Sequence, residues 1–292
     1  MKIALATCAE LPHLDGDDAP LVAALRARGV DVCHPVWDAG DQPFVDADLT
    51  VIRSTWDYTE KSHAFVQWAA RIDQRSGGRL RNPARVVEWN HHKHYLLELA
   101  ERGAAIVPTL YVPAGSTFDL ERAVRQAGFR AGVVAKPAVS AGSRNSIQIT
   151  ADGVRTSQGW FDKMLPAHDL LVQPFVPGIA RGELSLIYLE HEGALRFAHA
   201  VNKVPAPDDF RSQPEFRAAI SRVEPPAPFR AAADHVLSLV EGGLLYARVD
   251  LVEGENGQPW LMELELIEPC LYLGWHPASA QLLADAIVTA AR

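Results

Sequence analysis

The chain has 292 residues, 48% of them hydrophobic, which suits two or three packed α/β subdomains better than one core. A formal net charge of −8, with no basic cluster longer than a pair, excludes a nucleic-acid groove, because phosphate neutralisation requires a basic stripe. No apolar run approaches the ~20 residues of a membrane span, and Cys8, Cys33 and Cys270 are too far apart, with no C-x-x-C pair, for a disulfide framework or a thiolate zinc site.

The opening Met1-Lys2-Ile3-Ala4-Leu5-Ala6 runs straight into a turn without a secretory cleavage pattern, which predicts a cytoplasmic protein. Residues 2–8 read as a buried strand, 19–28 as an amphipathic helix stopped by Gly29, and 30–37 as the next strand, a βαβ opening. A strand over 48–53 exits into Ser54-Thr55-Trp56-Asp57-Tyr58, at the place where open α/β sheets put ligand contacts. Ser54, Thr55, Asp57 and Tyr58 are therefore candidate substrate contacts, and residues 1–82 a first α/β domain. Asn82-Pro83 marks a break, after which Asn90 is expected to cap a helix over 91–102 ending at Gly103. Strands over 106–112, 132–136, 146–150 and 170–176, with helices near 119–128 and 160–165, make 83–176 a second, strand-rich segment.

In the third segment, 177–292, alternating runs at 183–189 and 195–203 flank Glu190-His191-Glu192-Gly193 and read as a hairpin. Residues 205–228, rich in Pro, Asp and Arg without periodicity, are expected to be a mobile loop with a single helical turn, and loops of that length usually carry function. Arg211 within it is a candidate substrate contact. A helix over 229–241, a second hairpin over 244–252 and 259–267, and a helix over 278–291 complete the chain.

The second hairpin carries the densest chemistry. Period-2 alternation puts Arg248 and Asp250 on one face of one strand, and Glu263 and Glu265 on one face of the next. If register joins those faces, three carboxylates meet one guanidinium, a density of oxygen ligands that suits Mg²⁺ with water and phosphates completing its shell. The alternative is a solvent-facing charged hairpin, since Leu261, Leu264 and Leu266 fill the other face either way. Lys93 after Asn90, Lys136 ending Val133-Val134-Ala135-Lys136-Pro137, and Lys203 closing the first hairpin are each more often structural than functional. Together with the acidic hairpin they describe a triphosphate held between cationic and magnesium-bearing walls. The small polar loop after Lys136, with Ser140, Gly142 and Ser143, offers backbone N–H groups to phosphate oxygens, or is a plain surface turn. Neither G-x-x-x-x-G-K-[ST] nor G-x-G-x-x-G occurs. His91, His92 and His94 read as solvent-facing imidazoles, Cys270 as packing or pocket lining, and Trp56 and Trp68 as core.

The order Lys93, V-A-K-P, small-residue loop, V-Q-P-F-V (172–176), G-E-L-S (182–185), Lys203, R-V-D (248–250) and E-L-E (263–265) resembles the ATP-grasp superfamily of carboxylate–amine ligases across 83–275. The resemblance implies an α/β (α+β) fold in which an N-terminal βαβ domain on the substrate side joins a central subdomain, 83–176, and a C-terminal subdomain, 177–292, that clamp ATP. It implies that Gln173, Pro174, Phe175 and Val176 meet adenine, that Glu183 meets the ribose hydroxyls, and that Lys93, Lys136, Ser140, Gly142, Ser143 and Lys203 hold phosphates. It further implies that Asp250, Glu263 and Glu265 hold Mg²⁺, with Mn²⁺ as the alternative ion, while Arg248 and Lys203 are the catalytic cations at the transferring phosphoryl group. Two departures stand out: Glu265 where the family usually has Asn, and one glycine in the small loop where relatives have two or three.

S-T-W-D-Y, W-N-x-x-K-x-Y-L and E-L-E-L-I-E-P resemble a glutathione-synthetase-like group of these ligases. That group includes ring-closing enzymes of streptomycete antibiotic pathways that cyclise O-ureido-D-serine to D-cycloserine. The expected partner is a small carboxylate or amino acid, without nucleic acid or membrane and with a homo-oligomer left open. Joining two separate molecules, as in glutathione or dipeptide synthesis, is the alternative reaction. A non-catalytic ATP-binding regulator is the alternative of another class.

Overall fold

The computed structural model describes residues 1–292, the side chain of Pro214 excepted. A parallel sheet, in the order β2-β1-β3-β4, is built from β1 (Lys2–Thr7), β2 (Asp31–Cys33), β3 (Leu49–Ser54) and β4 (Leu80–Arg81). β1 and β3 are buried nearly throughout, as a parallel sheet covered on both faces demands. Leu21 and Leu25 of α1 (Ala19–Ala27) pack with Ile3, Leu5 and Val51 on one face. On the other, Phe65, Trp68 and Ile72 of α3 (Ser62–Ser76) pack with Ala6 and Ile52, beside the short α2 (Gln42–Val45). The expected βαβ opening is present, although the strand predicted over 30–37 is confined to β2 and a bridge at Val36.

The helix predicted over 91–102 is corrected. The chain forms α4 (Ala84–Asn90), a turn, and then α5 (Tyr95–Glu101), so Asn90 ends one helix rather than capping the next. Its side chain serves the sheet: Nδ2 donates to the Leu264 carbonyl at 2.9 Å and Oδ1 accepts from Leu266 N–H at 3.0 Å. Lys93 therefore sits in the inter-helix turn.

β5 (Leu110–Val112), β6 (Val133–Pro137), β7 (Ile147–Ile149) and β8 (Leu170–Pro174) form an antiparallel sheet in the order β5-β8-β6-β7. It is backed by α6 (Leu120–Ala127), which Asp119 caps through the Arg122 N–H, and by α7 (Gln158–Met164).

The third sheet has the order β11-β10-β9-β12-β13, from β9 (Glu183–His191), β10 (Ala194–Val204), β11 (Ala219–Val223), β12 (Tyr246–Glu253) and β13 (Pro259–Glu265). His191 pairs with Ala194, and the intervening Glu192 and Gly193 have φ of 52° and 82°, the left-handed pair a tight type I′ turn requires. β11 lies inside the segment expected to be loop: Ala219-Ile220-Ser221-Arg222-Val223 is an edge strand, mostly exposed, so it needs no apolar face to announce it. α8 (Ala227–Ser238) and α9 (Pro277–Ala290) cover opposite faces of this sheet, and α9 also packs on α1. No helix among the described residues is long and apolar enough to cross a membrane.

Buried polar side chains tie the first sheet to the third. Asn82 Nδ2 donates to the carbonyls of Leu266 (2.6 Å) and Tyr246 (3.0 Å), and its Oδ1 accepts from Leu245 N–H at 2.7 Å. The Tyr246 hydroxyl donates to the Ile52 carbonyl at 2.6 Å and lies 2.8 Å from that of Ile267.

Candidate functional site

Register gathers the charged residues. Arg248 faces Glu265 and Asp250 faces Glu263 across β12 and β13, Asp250 faces Ser185 on β9, and Glu183 faces Lys203 on β10. Pleating puts these residues on one face of four adjacent strands, while Leu186, Val249, Leu251 and Leu264 fill the core on the other. Met262 is the extra residue of a bulge between Asp250 and Leu251.

The solvent-facing alternative for this hairpin is wrong: Asp250 is fully buried, and Lys203 and Arg248 nearly so. Arg248 Nε and Nη2 reach Asp250 at 3.0 and 2.8 Å, Nη2 also bonds Glu265, and Nη1 donates to the Cys270 carbonyl at 3.1 Å. Lys203 Nζ lies 3.2 Å from Glu183 and 3.6 Å from Asp250. Lys93 Nζ bonds Glu263 at 2.9 Å and the Ser140 carbonyl.

Burial opposes the charge on Asp250, yet Arg248 and Lys203 outweigh it and bring the carboxyl down to about 2. For Glu265, burial together with Glu263 and Asp250 outweighs the Arg248 contact and raises the carboxyl to about 7. Glu263 is also opposed by burial, but Lys93 and Lys136 hold it below its ordinary value. Lys136 is lowered by burial, and among the described residues its ammonium has no hydrogen bond or ion pair, so it is the cation left free to meet an anion.

The three carboxylates share a face but not one coordination set. Each is turned to a cation, and among the described residues no group of three or more His, Cys, Asp and Glu side chains is arranged to hold a metal ion. Their oxygen-only chemistry fits Mg²⁺, provided Glu263 and Glu265 exchange Lys93 and Arg248 for the ion.

A cavity of about 90 Å³ adjoins this face, lined by Lys136, Gln173, Pro174, Phe175, Val176 and Glu183, with Ser143 and Glu263. The predicted adenine and ribose residues thus meet two of the predicted phosphate residues, Lys136 and Ser143, whereas Lys93, Ser140, Gly142 and Lys203 do not line this cavity. The space is well under the ~300 Å³ of typical small-molecule sites, because Phe210, Arg211, Ser212 and Gln213 also line it. The Ser212 hydroxyl bonds Glu183, and Gln213 accepts from the Ser143 hydroxyl at 3.0 Å. Arg211 lies at the cavity, with its guanidinium held by Asp209 and stacked 3.5 Å over the Phe216 ring. In the small loop Gly142, Ser143 and Asn145 all have φ near 57°, and Arg144 pairs with Glu60 of the first domain at 2.5 Å. A larger depression of about 680 Å³, lined by Tyr188, Phe197, Arg230 and Leu244, holds none of the predicted site residues.

The exit of β3 divides. Ser54 is engaged with Asp18 and the Asp15 N–H, and Asp57 accepts from Trp37 Nε1 at 2.8 Å and faces Lys61, so both have partners within their own domain. Thr55 is buried with an unpartnered hydroxyl. Tyr58 is buried beside Glu268, Glu263 and Glu265. Trp68 is core as expected, whereas Trp56 is half-buried and donates to the Glu268 carbonyl at 3.1 Å. His94 keeps a solvent-exposed side chain, 3.3 Å from Glu98, and the His91 ring meets the Glu88 carbonyl at an exposed position, whereas His92 is turned inward, 3.0 Å from Asp169. Cys270 is partly buried packing whose thiol burial pushes up. Sequence reasoning missed Ser185, Ser212 and Glu268. The alternation Glu183-x-Ser185 puts Ser185 on the site face and was available as a signal.

Residues 3–82 match the family described as the N-terminal domain of D-cycloserine synthetase DcsG. Over 307 aligned positions, the chain is 29% identical to the cycloserine biosynthesis protein DcsG of Streptomyces lavendulae, covering 98% of this chain and 97% of that protein. The crystal structure of D-cycloserine synthetase DcsG superposes with a TM-score of 0.87 at 26% identity, covering all of both chains. The ATP-grasp ligase PsnB, in a complex with minimal precursor, Mg and ADP, matches with a TM-score of 0.63 at 17% identity over 99% of this chain and 98% of that one. The fold is that of the ATP-grasp ligases, as the order of motifs implies.

Proposed function

We propose that this chain, an ATP-dependent ligase of the ATP-grasp fold, converts the carboxylate of a small amino acid into an acyl phosphate and closes a nitrogen of the same molecule onto it. The substrate best supported is O-ureido-D-serine and the product D-cycloserine, a reading that rests on end-to-end similarity to DcsG. The observation that carries the chemistry is the face shared by Lys203, Arg248, Asp250, Glu263 and Glu265, with the unpaired Lys136 at the adjoining cavity.

In this reading Gln173 to Val176 hold adenine and Glu183 the ribose, once Ser212 withdraws from it. Lys93, Lys136 and Lys203 hold phosphates, and Ser140, Gly142 and Ser143 close over them. Asp250, Glu263 and Glu265 would hold Mg²⁺, which supplies charge neutralisation at the phosphates. A carboxylate oxygen of the substrate attacks the γ-phosphorus and ADP leaves. Arg248 stabilises the charge spread over the transferring group. The nitrogen bonded to oxygen then attacks the acyl carbon, forming the ring amide, and phosphate departs with the carboxylate oxygen. Atom balance requires the carbamoyl group to leave with addition of water, as carbamate. A tethered nucleophile gains the effective molarity of an intramolecular reaction, so the site has to exclude only water. The guanidinium also weighs against a purely regulatory ATP-binding role, since binding alone requires no transition-state cation.

The test is to supply O-ureido-D-serine with ATP and Mg²⁺ and to follow ADP and the ring product by mass spectrometry. D-cycloserine stoichiometric with ADP is expected. Ligation of an amino acid to a separate amine, with no cyclic product from the ureido acid, would reject ring closure and favour the two-substrate reaction.

A further inference from the structure

Glu268 is a buried acid that the chemistry above does not use. It belongs to a segment clamped between the exit of β3 and the catalytic face. The Glu268 carbonyl accepts from Trp56 Nε1 at 3.1 Å, the Pro269 carbonyl from Arg53 Nη2 at 3.0 Å, and the Cys270 carbonyl from Arg248 Nη1 at 3.1 Å. The neighbouring acids are all engaged: Asp18 with Arg53, Asp57 with Lys61, Glu263 with Lys93, and Asp250 and Glu265 with Arg248. Among the described residues the Glu268 carboxylate has no ion pair and no hydrogen bond from another residue, its own backbone N–H being the one donor that acts on it, although the residue is only 9% exposed. Burial, then Glu265 beside it, push its carboxyl up to about 8 against the pull of Lys93, whose ammonium is committed to Glu263, so positive charge is in short supply at the spot. The buried Tyr58 and half-buried Trp56 add aromatic surface, against which a cation is favourably placed.

An α-amino acid carries its ammonium on the carbon next to the carboxyl group. If Arg248 lies at the reacting carboxylate, the acceptor for that ammonium must come from the same neighbourhood, and Glu268 is the carboxyl there that no cation holds, ionising when an ammonium arrives beside it. We propose that the Glu268 carboxylate binds the α-ammonium group of the substrate and thereby makes the site selective for α-amino acids. The proposal rests on the amino-acid ligase reading given above.

The experiment compares O-ureido-D-serine with its deamino analogue, 3-(ureidooxy)propanoate, by ADP release in the wild type and in Glu268→Gln, with the thermal shift by MgATP as a separate readout. The wild type should prefer the amino acid in kcat/KM by ~10²-fold or more, the scale set by leaving a buried polar partner unpaired. Glu268→Gln should lose most of that preference through KM for the amino acid, while its MgATP shift is retained. Equal use of both compounds by the wild type overturns the proposal without any variant. So does a Glu268→Gln protein that keeps both the preference and the MgATP shift. A wild type that responds to MgATP but releases ADP with neither compound removes the ligase reading itself, and the proposal with it.

Discussion

Arg248 commits its donors to two carboxylates and a carbonyl, which fixes a planar fork at the end of β12 where phosphoryl charge would develop. Lysine keeps the charge but not the fork. Arg248→Lys should therefore lower kcat by ~10²-fold or more, with a smaller change in KM for ATP; steady-state kinetics at saturating substrate checks this, and a rise confined to KM would make Arg248 a ground-state anchor. Glu263 is the acid that has to release Lys93 if it is to meet a metal ion. Glu263→Gln should abolish turnover and weaken Mg²⁺-dependent nucleotide binding by calorimetry, because one fewer charge and a poorer ligand misplace the ion. Unchanged activity would remove the hairpin from the metal site.

Much of this chemistry was legible because strand alternation alone decides which side chains share a face, and Arg248, Asp250, Glu263 and Glu265 alternate cleanly. Alternation does not say which cation each acid selects, and the pairing of Glu263 with Lys93 depends on a turn that reads locally as helix. α3 went unread although its signal was there: Phe65, Trp68, Ala69 and Ile72 are spaced as one helical face, ended by Gly77 at φ 71°. β11 was not legible, because an exposed edge strand carries no burial pattern. The Asn82 tether was equally hidden, since its three partners lie more than 160 residues away. Asn82→Ala leaves buried backbone groups unpaired and should cost about 3 kcal/mol or more in denaturant unfolding; a change below about 0.5 kcal/mol would mean that other groups or water replace the amide. In the segment over the cavity, Ser212 occupies Glu183 and competes with any ligand hydroxyl. Ser212→Ala should lower KM for ATP several-fold with little change in kcat; an unchanged KM would show that this contact does not limit nucleotide binding.

Across the whole molecule, one apolar core joins the first sheet, the third sheet and α9, and His199 is buried at its edge with Nδ1 2.8 Å from the Ser279 hydroxyl. Burial, then His276 stacked on it, lower its pKa from 6.5 to about 4. The unfolded chain thus takes up a proton near pH 6.5 that the folded one refuses until about 4. The associated stability is complete above pH 6.5 and is lost as pH falls through that window, about 3 kcal/mol in all. His199→Phe should flatten the wild-type loss of stability between pH 7 and 4 by that amount; parallel curves would contradict it. The same arrangement of three sheets sets the first domain against the charged face of the third sheet, where in the proposed reaction a substrate carboxylate would meet the γ-phosphate. Substrate labelled with ¹⁸O in its carboxylate, turned over with ATP and Mg²⁺, tests that encounter most directly. Phosphorus NMR should find one ¹⁸O atom in each phosphate released, since the acyl phosphate surrenders the carboxylate oxygen. Phosphate free of label, formed alongside ADP and ring product, would contradict the acyl phosphate.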